Sequence, residues 1–199
     1  MKVIILKSLC MISVILWPTL SYPLDVNWHF GAKIGAGFTH ALVDNHSSSS
    51  SKLTDKSSLA GGVFVNFSHV DFARIQLEAI YMQKGFKRNG FSANLTALSF
   101  PILARFQIPQ GVFLNLGIAI TVLTGGTVND SSKSSTDIDD HFERLEYDLE
   151  AGIGWEFEVF KGGNIFMELR LSYGLNNIST IYPQEVNLLT THLYVGFQY

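Results

Sequence analysis

The sequence predicts an all-β chain, an eight-stranded antiparallel up-and-down transmembrane β-barrel, and three observations carry that reading. The first is the stretch Tyr147 to Val159. Its odd positions read Tyr147, Leu149, Ala151, Ile153, Trp155, Phe157 and Val159, and its even positions Asp148, Glu150, Gly152, Gly154, Glu156 and Glu158. Successive side chains of a strand point to opposite faces, so one face is wholly apolar and the other carboxylate and glycine. The stretch is far longer than the usual strand of about 5–6 residues. It is long enough for a tilted strand to cross a bilayer, which takes about 9–11 residues. The second observation is that this alternation recurs in eight segments. The third is that short and long connections take turns between them.

The predicted strands follow in order. Trp28 to Phe38 sets Trp28, Phe30, Ala32, Ile34, Ala36 and Phe38 against His29, Gly31, Lys33, Gly35 and Gly37. Leu59 to Phe67 has Val63, Val65 and Phe67 on its apolar side. Ala73 to Lys84 opposes Ile75, Leu77, Ala79 and Tyr81 to Arg74, Gln76 and Glu78. Leu95 to Ile108 sets Leu98, Phe100, Ile102, Ala104 and Phe106 against Ser99, Arg105 and Gln107. Pro101 lies inside that strand and has no N–H for the ladder, so a bulge or local register shift is expected there. Val112 to Leu123 opposes Leu114, Leu116, Ile118, Ile120 and Val122 to Asn115, Gly117 and Thr121. After Tyr147 to Val159 come two more. Ile165 to Leu175 has Met167, Leu169, Leu171 and Tyr173 against Glu168, Arg170 and Gly174. Leu188 to Tyr199 has Leu193, Val195, Phe197 and Tyr199 against His192, Gly196 and Gln198. Ser68 to Asp71, Pro109 to Gly111 and Lys161 to Asn164 read as short turns. Thr39 to Ser58, Gly85 to Asn94, Thr124 to Glu146 and Asn176 to Asn187 read as long loops. This polarity is that of an outer-membrane barrel, with periplasmic turns and extracellular loops. The serine run Ser47 to Ser51 and the segment Ser131 to Asp140 are low-complexity and receive no secondary structure.

Composition agrees. Lys2 and Lys7 precede the apolar core Ser8 to Trp17, and Pro18 to Ser21 ends in small residues, so residues 1–21 read as a secretory signal peptide and 22–199 as the barrel domain. Cys10 is the only cysteine and lies inside that apolar core, so the domain has no disulfide. Without Lys2 and Lys7, the 14 basic residues become 12 against 17 acidic ones, which argues against a nucleic-acid partner. No later segment has about 18 consecutive apolar residues, so no helical span is expected.

Volume decides which face points outward. An eight-stranded barrel has an interior just wide enough to be filled by side chains. Trp28, Trp155, the many Phe, Leu and Ile are too bulky for it. Gly31, Gly35, Gly37, Gly62, Gly117, Gly152, Gly154, Gly174 and Gly196 share the polar face, and only Gly61 lies on the apolar one. The apolar face therefore points to lipid. Two aromatic girdles fit: Trp28, Phe67, Phe106, Phe157 and Tyr199 at the short-turn end, and Phe38, Tyr81, Tyr147 and Tyr173 at the long-loop end.

The polar face then directs Lys33, Arg74, Lys84, Arg105 and Arg170 into the lumen beside Glu78, Asp148, Glu150, Glu156, Glu158 and Glu168. Five cations among six carboxylates could line an ion path, but in so narrow a barrel they are expected to pair into a plug. No catalytic set is expected: His46 and His141 fall in long loops, His69 in a short turn, His29 and His192 in the lumen, and no His–Ser pair falls at the outer rim. No Cys/His spacing suits zinc and no glycine loop suits phosphate, so no metal or cofactor is expected.

Leu77 to Gly85 (LEAIYMQKG), an acidic residue, Tyr and then Lys-Gly, is similar to the third-strand motif of a known family, the PorT-like outer-membrane β-barrel proteins of Bacteroidetes and relatives. Phe100-Pro101-Ile102-Leu103 is similar to its fourth-strand segment, and Tyr173 to Ile178 to its close of strand seven. Val195 to Tyr199 ends on the aromatic that barrel-assembly machinery reads, with Phe197 and Tyr199 as the assembly signal. Ala79, where a larger aliphatic is usual, and the serine-rich first loop depart from the pattern. The resemblance implies an eight-stranded outer-membrane barrel, with a founding member tied to secretion of surface proteins and gliding.

The expected protein is thus a multi-pass barrel of the bacterial outer membrane with both termini periplasmic. Its expected partners are membrane lipid, the barrel-assembly machinery and a surface or secretion-complex protein held by the loops. A narrow small-solute channel is the alternative, and a lipid A-modifying enzyme the third reading.

Overall fold

The structure, a computed structural model, describes residues 27–43, 54–70, 72–88, 91–130, 133–137, 144–176 and 186–199. Its strands are β1 (Asn27–Val43), β2 (Thr54–Val70), β3 (Ala73–Arg88), β4 (Phe91–Gln107), β5 (Val112–Asp130), β6 (Lys133–Asp137), β7 (Leu145–Phe160), β8 (Gly163–Gly174) and β9 (Val186–Gln198). Every neighbour pairing is antiparallel, and all but β6 close into one eight-stranded up-and-down barrel. The seam joins β1 to β9, where Phe30 and Tyr199 exchange backbone hydrogen bonds of 2.8 Å in both directions. Partners followed from Phe30 through Val65, Leu77, Ile102, Ile118, Leu149, Tyr173 and Leu189 return to β1 at His40, ten residues further along (40 − 30). Such a stagger goes with strands tilted by about 35–45°. Closure leaves no open ladder among the eight, as a bilayer demands.

The apolar face points outward on every barrel strand. Ile34, Phe30, Leu149, Ile153 and Trp155 are exposed, Ile34 by 74%. Their polar-face neighbours Lys33, Glu150 and Arg105 are buried. The girdle residues are exposed too, apart from the half-buried Phe67, whose ring contacts Trp28 at 5.4 Å.

Several expectations about the strands need correction. The strands run further toward the long connections than the apolar alternation did. The ladder of β3 and β4 continues to Arg88–Phe91 and that of β4 and β5 to Phe91–Asp130. Loss of apolar alternation marks the edge of the lipid, not the end of hydrogen bonding. Lys133–Asp137, within the segment expected to be irregular, forms β6 and pairs with the far end of β5. His69 belongs to β2 and not to a turn. Pro101 causes no bulge: it stays in register with Ala119 of β5, and the β3 ladder merely omits Pro101 and Phe100 before resuming unchanged at Ser99. A missing donor removes a rung without adding a residue. The bulge in β4–β5 lies instead between Thr96 and Ala97, where the Thr124 hydroxyl donates to the Thr96 carbonyl at 3.2 Å. Residues 1–21, the serine run, His46 and His141 lie outside the described residues.

The short-turn end is built by tight geometry. Gln110 and Gly111 take φ of 72° and 83°, in the left-handed region. The Trp155 indole N–H donates to the Gln110 carbonyl at 2.9 Å, tying a girdle residue to the turn.

The lumen also holds aromatic rings. Phe64, Phe113, Phe166 and Tyr194 point inward and are buried. Each faces a glycine directly across its ladder: Phe64–Gly31, Phe113–Gly154, Phe166–Gly196 and Tyr194–Gly35. A Cβ on any of these glycines would collide with the facing ring. The rings of Phe64 and Phe166 lie 5.5 Å apart edge to face, and those of Phe113 and Phe166 6.1 Å.

Candidate functional site

Among the described residues, the polar lumen is where the fold gathers chemically active side chains, and strand register sorts them into three tiers. In the middle tier Arg170 on β8 is the hub. It hydrogen-bonds Glu168 from Nε at 2.8 Å, Glu78 from Nη1 at 2.7 Å and Nη2 at 2.9 Å, and Glu150 from Nη1 at 3.0 Å. Lys33 donates to Glu78 at 2.8 Å and lies 3.4 Å from Glu168. Asn115 and Gln76 donate to Glu168 and Glu78. Lys33 also sits over the Tyr194 ring, 4.4 Å from its centre. All five charged groups of this tier are fully or nearly fully buried. Bidentate geometry and completed shells are what make buried ions tolerable.

Toward the long loops, Lys84 donates to Glu146 at 2.8 Å and lies 3.9 Å from Asp148. The Thr121 hydroxyl contacts both Asp148, at 2.7 Å, and Ser99, at 2.9 Å. Toward the short turns, Arg105 hydrogen-bonds Glu156 and, at 3.2 Å, Gln76, while its guanidinium stacks 3.6 Å over the Phe113 ring. Arg74, half-buried, approaches Glu156 at 3.9 Å.

Ten of the eleven expected lumen charges are therefore placed inside: Lys33, Arg74, Glu78, Lys84, Arg105, Asp148, Glu150, Glu156, Glu168 and Arg170. Glu158 is not. It is exposed, and its carboxylate accepts the Gly162 N–H at 3.4 Å. The β7–β8 ladder shifts register between Glu158 and Phe160, so inward alternation ends there. Glu146 was missed, having been assigned to a loop, although it continues the even-numbered inward series of β7. The aromatic tier was missed as well. Its signal was the set of facing glycines, which becomes readable only once register is known. Phe197 and Tyr199 lie outward at the short-turn end, with Phe197 in ring contact with Phe160 at 5.6 Å.

Among the described residues, Ser58 and His192 form an arrangement that looks like a nucleophile and a base, with Oγ and Nε2 2.8 Å apart. The Ser58 hydroxyl spends its single proton on the Gln83 carbonyl, so His192 Nε2–H must donate to Ser58. That polarity is opposite to a general base activating a hydroxyl. The pair is also buried, with the imidazole stacked on Tyr194 at 5.3 Å. No cluster of three metal-ligating side chains occurs among the described residues.

Comparison with known proteins places this architecture. Among solved structures, the chain is similar to Neisserial surface protein A, at 14% identity and a TM-score of 0.53, covering 87% of this chain and 97% of that one. It is similar also to the outer membrane protein OprG of Pseudomonas aeruginosa, at 12% identity and a TM-score of 0.52, covering 86% and 95%. At such identities the likeness is one of fold. No curated protein matches. The family model for the outer membrane protein beta-barrel domain matches residues 23–180, most of the barrel. An up-and-down barrel with a lipid-facing apolar surface, a charged lumen and this match has one assignment: the chain belongs to the outer membrane protein beta-barrel domain family of bacterial outer membranes.

Proposed function

We propose that the protein is a non-enzymatic scaffold of the outer membrane that engages a partner through the connections at its long-loop end, as part of a surface or secretion assembly. The supporting observation is the filled lumen. Arg170 and its three carboxylates span the interior between β3, β7 and β8, and the rings of Phe64, Phe113 and Phe166 pack across it nearer the short turns. A barrel of this size with such contents has no room for a hydrated solute. What is left for recognition is the long-loop end, where β5 and β6 carry the hairpin beyond the barrel wall. The likeness of its strand motifs to PorT-like barrels favours a secretion-associated partner, and membrane topology with periplasmic termini follows from the same polarity of turns and loops.

The test is photo-cross-linking from Ser135 of β6 on intact cells. A single protein captured from Ser135, and not captured when the cross-linker is moved to Lys161 in the short turn between β7 and β8, is the expected result. Capture of nothing, together with stepwise conductance of the purified barrel in planar bilayers, would establish the narrow channel instead.

A further inference from the structure

The lumen is not uniformly charged along its length, and the imbalance falls at the short-turn mouth. Among the described residues, the middle and long-loop tiers hold three cations, Lys33, Lys84 and Arg170, against five carboxylates, Glu78, Glu146, Asp148, Glu150 and Glu168. The mouth holds Arg74 and Arg105 against Glu156 alone. The two arginines are direct cross-strand partners in the β3–β4 ladder, a like-charged pairing that is unfavourable unless something neutralises it. Glu156 bonds Arg105 and reaches Arg74 only at 3.9 Å. Glu158, the next carboxylate along β7, is turned to solvent and engaged with Gly162.

Unsatisfied polar atoms concentrate at the same place, which holds six of the eight found among the described residues. The six are the donors Arg74 Nη1, Arg105 Nε and Gln198 Nε2, the ring atom His29 Nδ1, and the acceptors Asn66 Oδ1 and Gln107 Oε1. Arg105, Gln198 and Asn66 are themselves almost completely buried. All six belong to the mouth, where β1, β2, β3, β4 and β9 bring His29 opposite Asn66 and Arg74 opposite Arg105. Buried donors left unpaired cost free energy, and charged ones cost most.

We propose that this mouth is a binding site for a small soluble oxyanion of phosphate or carboxylate size, held by Arg74 with Arg105 behind it. An anion there would supply the missing countercharge and accept from Arg74 Nη1, the outermost of the free donors. Lipid headgroups ring the outside of the wall, whereas both arginines face the lumen, so the ligand comes from the aqueous compartment. The Phe64–Phe113–Phe166 layer and the stacked Arg105 stop it from passing further, which makes the site a cup and not a pore entrance.

The experiment is titration of inorganic phosphate into the barrel refolded in a neutral, phosphate-free detergent, followed by NMR shifts of labelled side chains and amides. The expected result is a saturable response confined to the surroundings of His29, Arg74 and Arg105, weakened at least tenfold in Arg74→Gln and unchanged in Lys84→Gln. Glu156→Gln, which removes the competing carboxylate, should tighten binding at least threefold, and it tests the same point should Arg74→Gln fail to fold. A response that never saturates, that survives Arg74→Gln, or that is equal around Lys84 would overturn the proposal and leave water as the occupant.

Discussion

Gly31 and Gly61 occupy neighbouring strands yet answer to different constraints. A Cβ on Gly31 would meet the Phe64 ring and the Phe197 carbonyl, whereas one on Gly61 would meet nothing nearer than 3.5 Å. Gly31→Ala should therefore lower stability by about 1–3 kcal/mol through overpacking. Gly61→Ala should stay within about 0.5 kcal/mol of the parent. Urea unfolding from vesicles, followed by tryptophan fluorescence, measures both. Arg170 presents the opposite case, a side chain whose removal leaves charges stranded. Arg170→Met would leave Glu78, Glu150 and Glu168 sharing Lys33, at a cost of about 3–5 kcal/mol in the same assay. Ten of the charged plug residues were legible in the sequence because alternation sends them inward, while Glu146 and Glu158 were misplaced where the strand end and a register shift escape that pattern. Their partners were not: Arg170 and Glu78 are 92 positions apart and meet only through tilt and stagger.

At the scale of the strand, facing is the property with the largest consequence. Ile153 lies outward on β7 between Leu114 of β5 and Leu169 of β8, midway between the two girdles. Ile153→Arg should cost about 2–4 kcal/mol, and Trp155→Arg, nearer the short-turn interface, about 0–1 kcal/mol from the charge alone. Loss of heat-resistant migration on gels would report the difference, and equal effects would contradict the assigned depth. Faces were readable in all eight barrel strands because lipid imposes period two directly on the sequence. Strand ends were not, since Phe91–Asp130 and Lys133–Asp137 pair through backbone groups that no side-chain pattern records. Pro101 was misread for a related reason: the chain can lose one rung at a buried proline and keep its register if the flanking pairs hold.

For the whole molecule, the ion pairs and rings that cross the lumen bear directly on conductance. Purified protein in planar bilayers should show no unitary steps at moderate voltage. Arg170→Ala and Lys84→Ala, if they fold, should stay equally silent because the aromatic layer still crosses the interior, whereas Arg170→Ala combined with Phe166→Ala should introduce flicker. Fold class and membrane location were recoverable from composition and periodicity. The uneven charge of the mouth required three-dimensional grouping, since Arg74, Arg105 and Glu156 come from three different strands.

The glycine–aromatic pairs bear on how such a barrel finds one alignment among many. Alternation forbids two strands from sliding past each other by a single residue, which would turn every apolar side chain inward. It is blind to a slide of two. In the β1–β2 ladder such a slide would set Phe64 against His29 or Lys33, and in β8–β9 it would set Phe166 against Tyr194 or Gln198. Neither ring would find a vacancy. Each facing glycine thus works as a notch cut for one tooth, and the misaligned barrels that lipid alone would tolerate are rejected from within.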